Sequence, residues 1–145
     1  MHLTTREATM DDVAAITELS NQLGYVITEA TTKQNLQSIL AESKDLVTVA
    51  IYDERVAGWI HVFRTVRLES GAFFEIGGLV VAQQYRRKGI GRSLIAHAKD
   101  WCSKTAVTSL RVRCNVKRKE AHDFYRSLGF NESKEQKVFE INLSS

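Results

Sequence analysis

Residues Leu79-Val80-Val81-Ala82-Gln83-Gln84-Tyr85-Arg86-Arg87-Lys88-Gly89-Ile90-Gly91-Arg92 pass from an apolar run through a basic, glycine-containing loop into a helical pattern. That passage suits an anion. The first N–H groups of a helix have no intrahelical partner and carry the positive end of the helix dipole, while glycines let a ligand approach the backbone closely. Arg86, Arg87, Lys88 and Arg92 add charge at the same point. Two familiar phosphate loops are excluded: no GxxxxGK(S/T) occurs, and Gly89-Ile90-Gly91-Arg92-Ser93-Leu94 lacks the third glycine of a dinucleotide fingerprint. Taken alone, the segment is either an anion loop or a tight strand-to-helix connection with solvated arginines.

Charge along the chain favours the first. Residues 1–85 carry six Lys/Arg against eleven Asp/Glu, residues 86–119 carry eleven against Asp100 alone, and residues 120–145 carry three against five. A basic block on an otherwise acidic body implies an anionic partner for one face, a phosphorylated small molecule or a nucleic acid. Against nucleic acid, Trp101 is the one aromatic in the block and no helix-turn-helix or zinc pattern is present. Cys102 and Cys114 make no CxxC pair and no ligand set with the four histidines, so neither a disulfide framework nor a metal is expected. No apolar run approaches the roughly 18 to 20 residues of a membrane span, and Met1–Glu7 lacks a signal peptide's apolar stretch. The expectation is a cytoplasmic protein without membrane contact.

The elements that must position the loop follow from periodicity. With 145 residues, 43% of them hydrophobic, and no proline, linker or repeat, the chain reads as one domain, 1–145. A strand around Leu3 to Glu7 precedes a capping box at Thr9 and Asp12, and Met10, Val13, Ile16 and Leu19 mark a helix ended by Gly24. A second helix is predicted after Thr31 or Thr32, carrying Leu36, Ile39 and Leu40 to about Glu42. Leu46 to Tyr52, Val56 to Val66 and Ala72 to Val81 read as an antiparallel meander. Gly89 opens a helix with Ile90, Leu94, Ile95, Ala98, Trp101 and Cys102 on one face, and a strand follows at about Val107 to Cys114. Ala121, Phe124, Tyr125 and Leu128 mark a helix closed by Gly129, and Lys137 to Leu143 alternates as a last strand.

Arg86-x-x-Gly89-x-Gly91 resembles the acetyl-coenzyme A loop (Q/R-x-x-G-x-G/A) of the GCN5-related N-acetyltransferases (GNAT). Asn115 with Ala121, Phe124-Tyr125 and Leu128-Gly129-Phe130 is similar to that family's C-terminal half, and the order of elements agrees over nearly the whole chain. Residues 115–125 resemble especially the aminoalkylphosphonate acetyltransferases and a broad set of small bacterial relatives. Gln83 and Arg118 depart from the family's frequent proline and second asparagine, and Gly77-Gly78 provides no second carboxylate.

The resemblance implies a GNAT-like α/β (α+β) fold: a mixed, mostly antiparallel sheet flanked by about four helices, with splayed fourth and fifth strands. It implies an acetyltransferase that moves acetyl from acetyl-coenzyme A to a primary amine by direct attack in a ternary complex. The cofactor's arm would pair with the backbone of Leu79, Val80 and Val81. Its pyrophosphate would meet the amides of Arg87 to Arg92 (Arg87, Lys88, Gly89, Ile90, Gly91 and Arg92) beyond Arg86, and Asn115 would hold the arm or a water. Tyr125 matches the family's thiolate-facing tyrosine; a phenol of pKa about 10 suits that donor role, and its spacing also suits a core aromatic. A lysine-like amine is neutral only about once in 10³ at pH 7, a handicap on the order of 4 kcal/mol. Glu75, a carboxylate in an apolar strand, is therefore the candidate base, and the same position suits an ion pair with Arg111 or Arg113. His61 and His122 are further possible relays. Catalytically silent cofactor binding and a nucleic-acid module are the rival readings, and a homodimer is compatible with an exposed last strand.

Overall fold

Secondary structure here is that of a computed structural model, which describes residues 2–41, 44–114 and 118–144. The chain forms two compact units, Met1–Arg113 and Cys114–Ser145, each described by itself. In the first, β1 (Leu3–Glu7), β2 (Leu46–Tyr52), β3 (Arg55–Arg67), β4 (Gly71–Val81) and β5 (Leu110–Val112) lie in one sheet in chain order. The first four are antiparallel, and β5 runs parallel to β4. Helices α1 (Val13–Gln22) and α2 (Glu29–Ala41) precede β2, and α3 (Ile90–Cys102) follows β4.

Alternation along the strands separates two faces. Val47, Val49 and Trp59 join Ile16 and Leu36 on the α1/α2 side. On the other side, a Cβ on Gly58 would meet Ile90 and Leu94 of α3, so Ile60 and Val62, two and four residues on, share that face and are fully buried. Both hairpins carry a bulge. Asp53 and Glu54 make the first turn with φ of 54° and 64°, and an extra residue, Ala57, then shifts the β2/β3 register. Between β3 and β4 the extra residue is Gly77.

The entry to α1 follows its sequence signature. Thr9 and Asp12 form the capping box, through a single 3-10 turn at Met10–Asp12 that runs into α1. The start of α2 differs from expectation: Thr28, not Thr31 or Thr32, accepts from the Thr31 amide, because Thr32 is buried with its hydroxyl 2.7 Å from that of Thr17. Its hydroxyl pairs α2 with α1 instead of capping.

In the second unit, α4 (Lys119–Ser127) ends at Gly129, whose φ of 93° is left-handed. The expected last strand, Lys137–Leu143, does not form. Among the described residues no ladder pairs it, and Val138, Phe139, Ile141 and Leu143 are all more than 80% exposed. Alternation makes a strand only where a neighbour takes its N–H and C=O groups. Among the described residues no helix is long and apolar enough to cross a membrane.

Asp12 is 3% exposed and accepts two hydrogen bonds from Arg6, at 2.8 and 2.9 Å, and one from the Thr9 amide. The bond from Arg6 chiefly holds its carboxyl below the usual range. A depressed carboxyl stabilises the fold above its unfolded value of about 3.9 and loses that contribution as pH falls through the lower folded value. Asp12→Asn is therefore expected to destabilise the protein by about 1 kcal/mol or more at neutral pH, the scale of a lost helix cap. Denaturant titrations should show that gap shrinking below about pH 4.

Candidate active site

The site begins where a ladder stops. β5 covers β4 only at Phe74, Glu75 and Ile76, where the Phe74 amide also donates to the Ser109 carbonyl at 2.8 Å. Farther along β4, the Ala82 amide donates to Ala57 on β3. Alternation then points Val80 toward β3, and Leu79 and Val81 present their N–H and C=O groups to the edge that β5 has left. The extra residue at Gly77 resolves the difference in phase: even-numbered Phe74 and odd-numbered Leu79 both address that edge because one bulged residue lies between them. Leu79, Val80 and Val81 thus lie together, the first and last with free backbone and Val80 with its side chain in the core at 2% exposure.

The strand leads through a single 3-10 turn (Gln83–Tyr85) to Arg86, Arg87, Lys88 and Gly89, all exposed. Arg87 and Gly89 have φ of 65° and 78°, and a Cβ on Gly89 would meet nothing within 4 Å, so its requirement for glycine is conformational. Gly89 caps α3 without a side-chain hydrogen bond, and the first intrahelical bond runs from the Ser93 amide to the Gly89 carbonyl. The amides of Ile90, Gly91 and Arg92 precede that bond at the positive end of a 13-residue helix. Among the described residues none of Arg86, Arg87, Lys88 and Arg92 is in an ion pair.

On the α1/α2 face of β4, Glu75 lies opposite Phe63 on β3 and beside Arg111 on β5. Arg113 Nε is 3.5 Å from its Oε1, while Arg111 stacks over the Phe73 ring at 3.9 Å. Of the two arginines weighed for Glu75, the ion pair falls to Arg113. Next along the same face Gly77 and Gly78 leave a bare strip. A Cβ on Gly77 would come within 2.8 Å of the Phe63 ring and 3.1 Å of His61 Nδ1, and one on Gly78 within 2.6 Å of the Trp59 ring. Three side chains of β3 therefore lie across the glycines of β4. His61 Nε2 is 3.0 Å from Asp45 Oδ2, and the buried Trp59 Nε1 has no hydrogen-bond partner among the described residues.

Beside this strip is a cavity of about 180 Å³ whose wall includes Ile16, Ile27, Leu36, Val47, Trp59 and His61. Asn21 fixes Ile27 by two 3.0 Å hydrogen bonds to its backbone. Of the apolar residues between the helices, Leu23 packs against the core cluster around Leu19 and Val80, Ile27 lines the cavity, and Tyr25 and Val26 are exposed. Asp45 and Trp59 were not among the candidates read from sequence. Their signal was weak, since pairing Asp45 with His61 requires knowing the hairpin register.

In the second unit Tyr125 is half-buried on α4, in edge contact with Phe124 and Phe130 at 5.2 and 5.5 Å between ring centres. His122 lies one turn earlier on the same helix. Asn115 lies outside the described residues. Cys102 is buried and Cys114 half-buried, both as free thiols pushed up by burial, which suits small apolar residues more than nucleophiles. Among the described residues no three His, Cys, Asp or Glu side chains gather as metal ligands.

A mixed sheet whose fourth strand parts from the fifth above a basic helix entrance is the arrangement of the GNAT acetyltransferases. The chain belongs to that family: residues 13–142 match the model described as Acetyltransferase (GNAT) domain. It is 24% identical over 129 residues to the uncharacterized N-acetyltransferase YhdJ of Bacillus subtilis (strain 168), covering 88% of each chain. Among solved structures, the aminoglycoside 6'-N-acetyltransferase AAC(6')-IG of Acinetobacter haemolyticus superposes with a TM-score of 0.85 at 22% identity, covering 97% of this chain and 99% of that one. The glucosamine-6-phosphate N-acetyltransferase of Arabidopsis thaliana gives 0.81 at 18% identity, covering 98% and 100%. Both share the fold. The local likeness to aminoalkylphosphonate acetyltransferases gains no support from these matches.

The glycine strip generates a direct check. Gly78→Ala drives a methyl into the Trp59 ring and is expected to cost about 1 to 3 kcal/mol, the range for overpacking. Urea unfolding, with a changed tryptophan emission in the folded state, measures it.

Proposed function

We propose that the protein is an acetyl-coenzyme A-dependent N-acetyltransferase acting on a primary amine of a small molecule or peptide, by direct attack in a ternary complex. The observation that carries this is the edge of β4 at Leu79 and Val81, uncovered among the described residues, leading directly to the helix entrance with four basic side chains that make no ion pair among those residues. An extended amide-containing arm satisfies such an edge as an added strand does. A pyrophosphate suits the amides of Arg87 to Arg92, with Arg86, Arg87, Lys88 and Arg92 around it. When bound, acetyl-coenzyme A supplies the acetyl group as a thioester.

The chain's own residues then have three tasks. Backbone N–H near Leu79 stabilises negative charge on the carbonyl oxygen. Tyr125 gives its phenolic proton to the departing thiolate, and Asn115 holds the cofactor arm. Two groups on the acceptor face are candidates to take the amine's proton, directly or through water: Glu75, with Arg113 as its counter-ion, and His61, held by Asp45. The reading treats residues 1–145 as one working domain, consistent with a family match that spans both units. It includes a cytoplasmic location, no nucleic-acid or membrane partner, and a homodimer, for which the exposed Val138, Phe139, Ile141 and Leu143 offer contact surface.

Isothermal titration is expected to show acetyl-coenzyme A binding that weakens with salt, and the Arg86→Gln, Lys88→Gln, Arg92→Gln triple variant should bind more weakly with a shallower salt dependence. No heat at millimolar ligand would sink the reading. Tyr125→Phe should lower kcat by about 10²-fold with little change in cofactor affinity, as measured by thiol release. Light scattering should give about twice the 16.4 kDa chain mass.

A further inference from the structure

We infer that the cavity between α1, α2 and the sheet receives a primary amine carried on a compact apolar body, and that His61, held by Asp45, takes the proton from that amine. The inference rests on the acetyl-transfer reading above and names its acceptor and its base.

The imidazole is divided between two tasks. Nε2 is 3.0 Å from Asp45 Oδ2, so the carboxylate accepts the Nε2 proton and leaves Nδ1 as the acceptor nitrogen. Nδ1 has no hydrogen-bond partner among the described residues and stands over Gly77, 3.1 Å from where a Cβ would be. His61 is the register partner of Gly78, one residue before Leu79, whose backbone faces the open edge. It also lines the cavity. A base thus lines the pocket and leans over β4 beside its open edge, in room that the glycines leave for its ring. Glu75, on the same face, is 15% exposed, paired with Arg113 and not part of the cavity's lining.

Charge decides the substrate class. The groups facing His61 are Asp45 from the segment before β2, the two glycines of β4 and, farther along that strand, Glu75 with Arg113. From α1 and α2 the polar lining is neutral: Ser20, Thr32 and Asn35. Among the described residues no Asp or Glu lines the cavity, so a polycation finds no counter-charge on that lining, while an apolar body finds Ile16, Ile27 and Leu36. In the step, the ammonium gives one proton to Nδ1, and Asp45 stabilises the resulting imidazolium. The freed nitrogen pair forms the C–N bond as the C–S bond breaks. Tyr125 protonates the sulfur, the amine's second proton leaves to solvent, and the imidazolium and phenol return to their starting states through solvent.

The test is thiol release from the full-length protein with acetyl-coenzyme A, using 2-phenylethylamine and isoamylamine against spermidine and kanamycin. The expected result is a kcat/KM at least tenfold higher for the two apolar monoamines. His61→Gln should lower kcat/KM for them by about 10²-fold or more and remove the acid limb that an imidazole base places between about pH 5 and 8, with acetyl-coenzyme A affinity unchanged in calorimetry. Asp45→Asn, the second variant should His61→Gln fail to fold, is expected to shift that limb to lower pH, because the imidazolium loses its counter-ion. Preference for the polycations, or an acid limb that survives His61→Gln, overturns the inference. A limb that vanishes in Glu75→Gln instead makes Glu75 the base and also overturns it, leaving acetyl transfer intact. Absence of acetyl-coenzyme A binding in the unaltered protein removes the functional reading itself, and this inference with it.

Discussion

A parallel pairing three residues long governs the first unit. β4 and β5 hold each other at Phe74–Ile76 and Leu110–Val112, and among the described residues the backbone of β4 has no strand partner on that side beyond Ile76. An uncovered strand edge is costly to leave within a fold, since each N–H and C=O requires a partner. Here the bare edge is short and leads directly into a helix start, so its unmet groups and those of α3 form one continuous array of donors and acceptors.

The bulge at Gly77 connects that edge to the opposite task of seating an acceptor. By adding one residue it turns Leu79 and Val81 outward. By adding glycines it also clears the strip over which Trp59, His61 and Phe63 lie. Alanine at either glycine would collide with those rings, so edge and pocket share one local feature. The pocket's remaining wall comes from α1 and α2, held together by the buried Thr17–Thr32 hydroxyl contact and by Asn21 gripping Ile27. The basic residues of the helix entrance, in contrast, are exposed and make no ion pair among the described residues, which suits them to a ligand that arrives from solvent.

Much of this was legible in the residues. The meander, the capping box at Thr9 and Asp12, the helix from Ile90 and the loop at Arg86–Gly89 follow from short-range pattern, because apolar period, caps and turn residues act within a few positions. The last strand was misread for a related reason. Alternation at Lys137–Leu143 records which side chains are apolar, but a strand exists only when another backbone pairs with it. Glu75 stood out as a carboxylate among apolar residues, yet its partner among two nearby arginines required the β4/β5 alignment to decide.

Sequence by itself determined the family, the order of elements from β1 to α4 and the basic entrance to α3, since these reside in contiguous residues whose chemistry is local. Tertiary structure alone decided the acceptor side. An unbulged hairpin turning at Asp53–Glu54 would set His61 opposite Leu46, whereas the extra residue at Ala57 sets it opposite Val47 and brings Asp45 onto its diagonal. Because side chains alternate with a period of two, one inserted residue moves every later one to the other face. No reading of residue types can locate that insertion before the strands have paired.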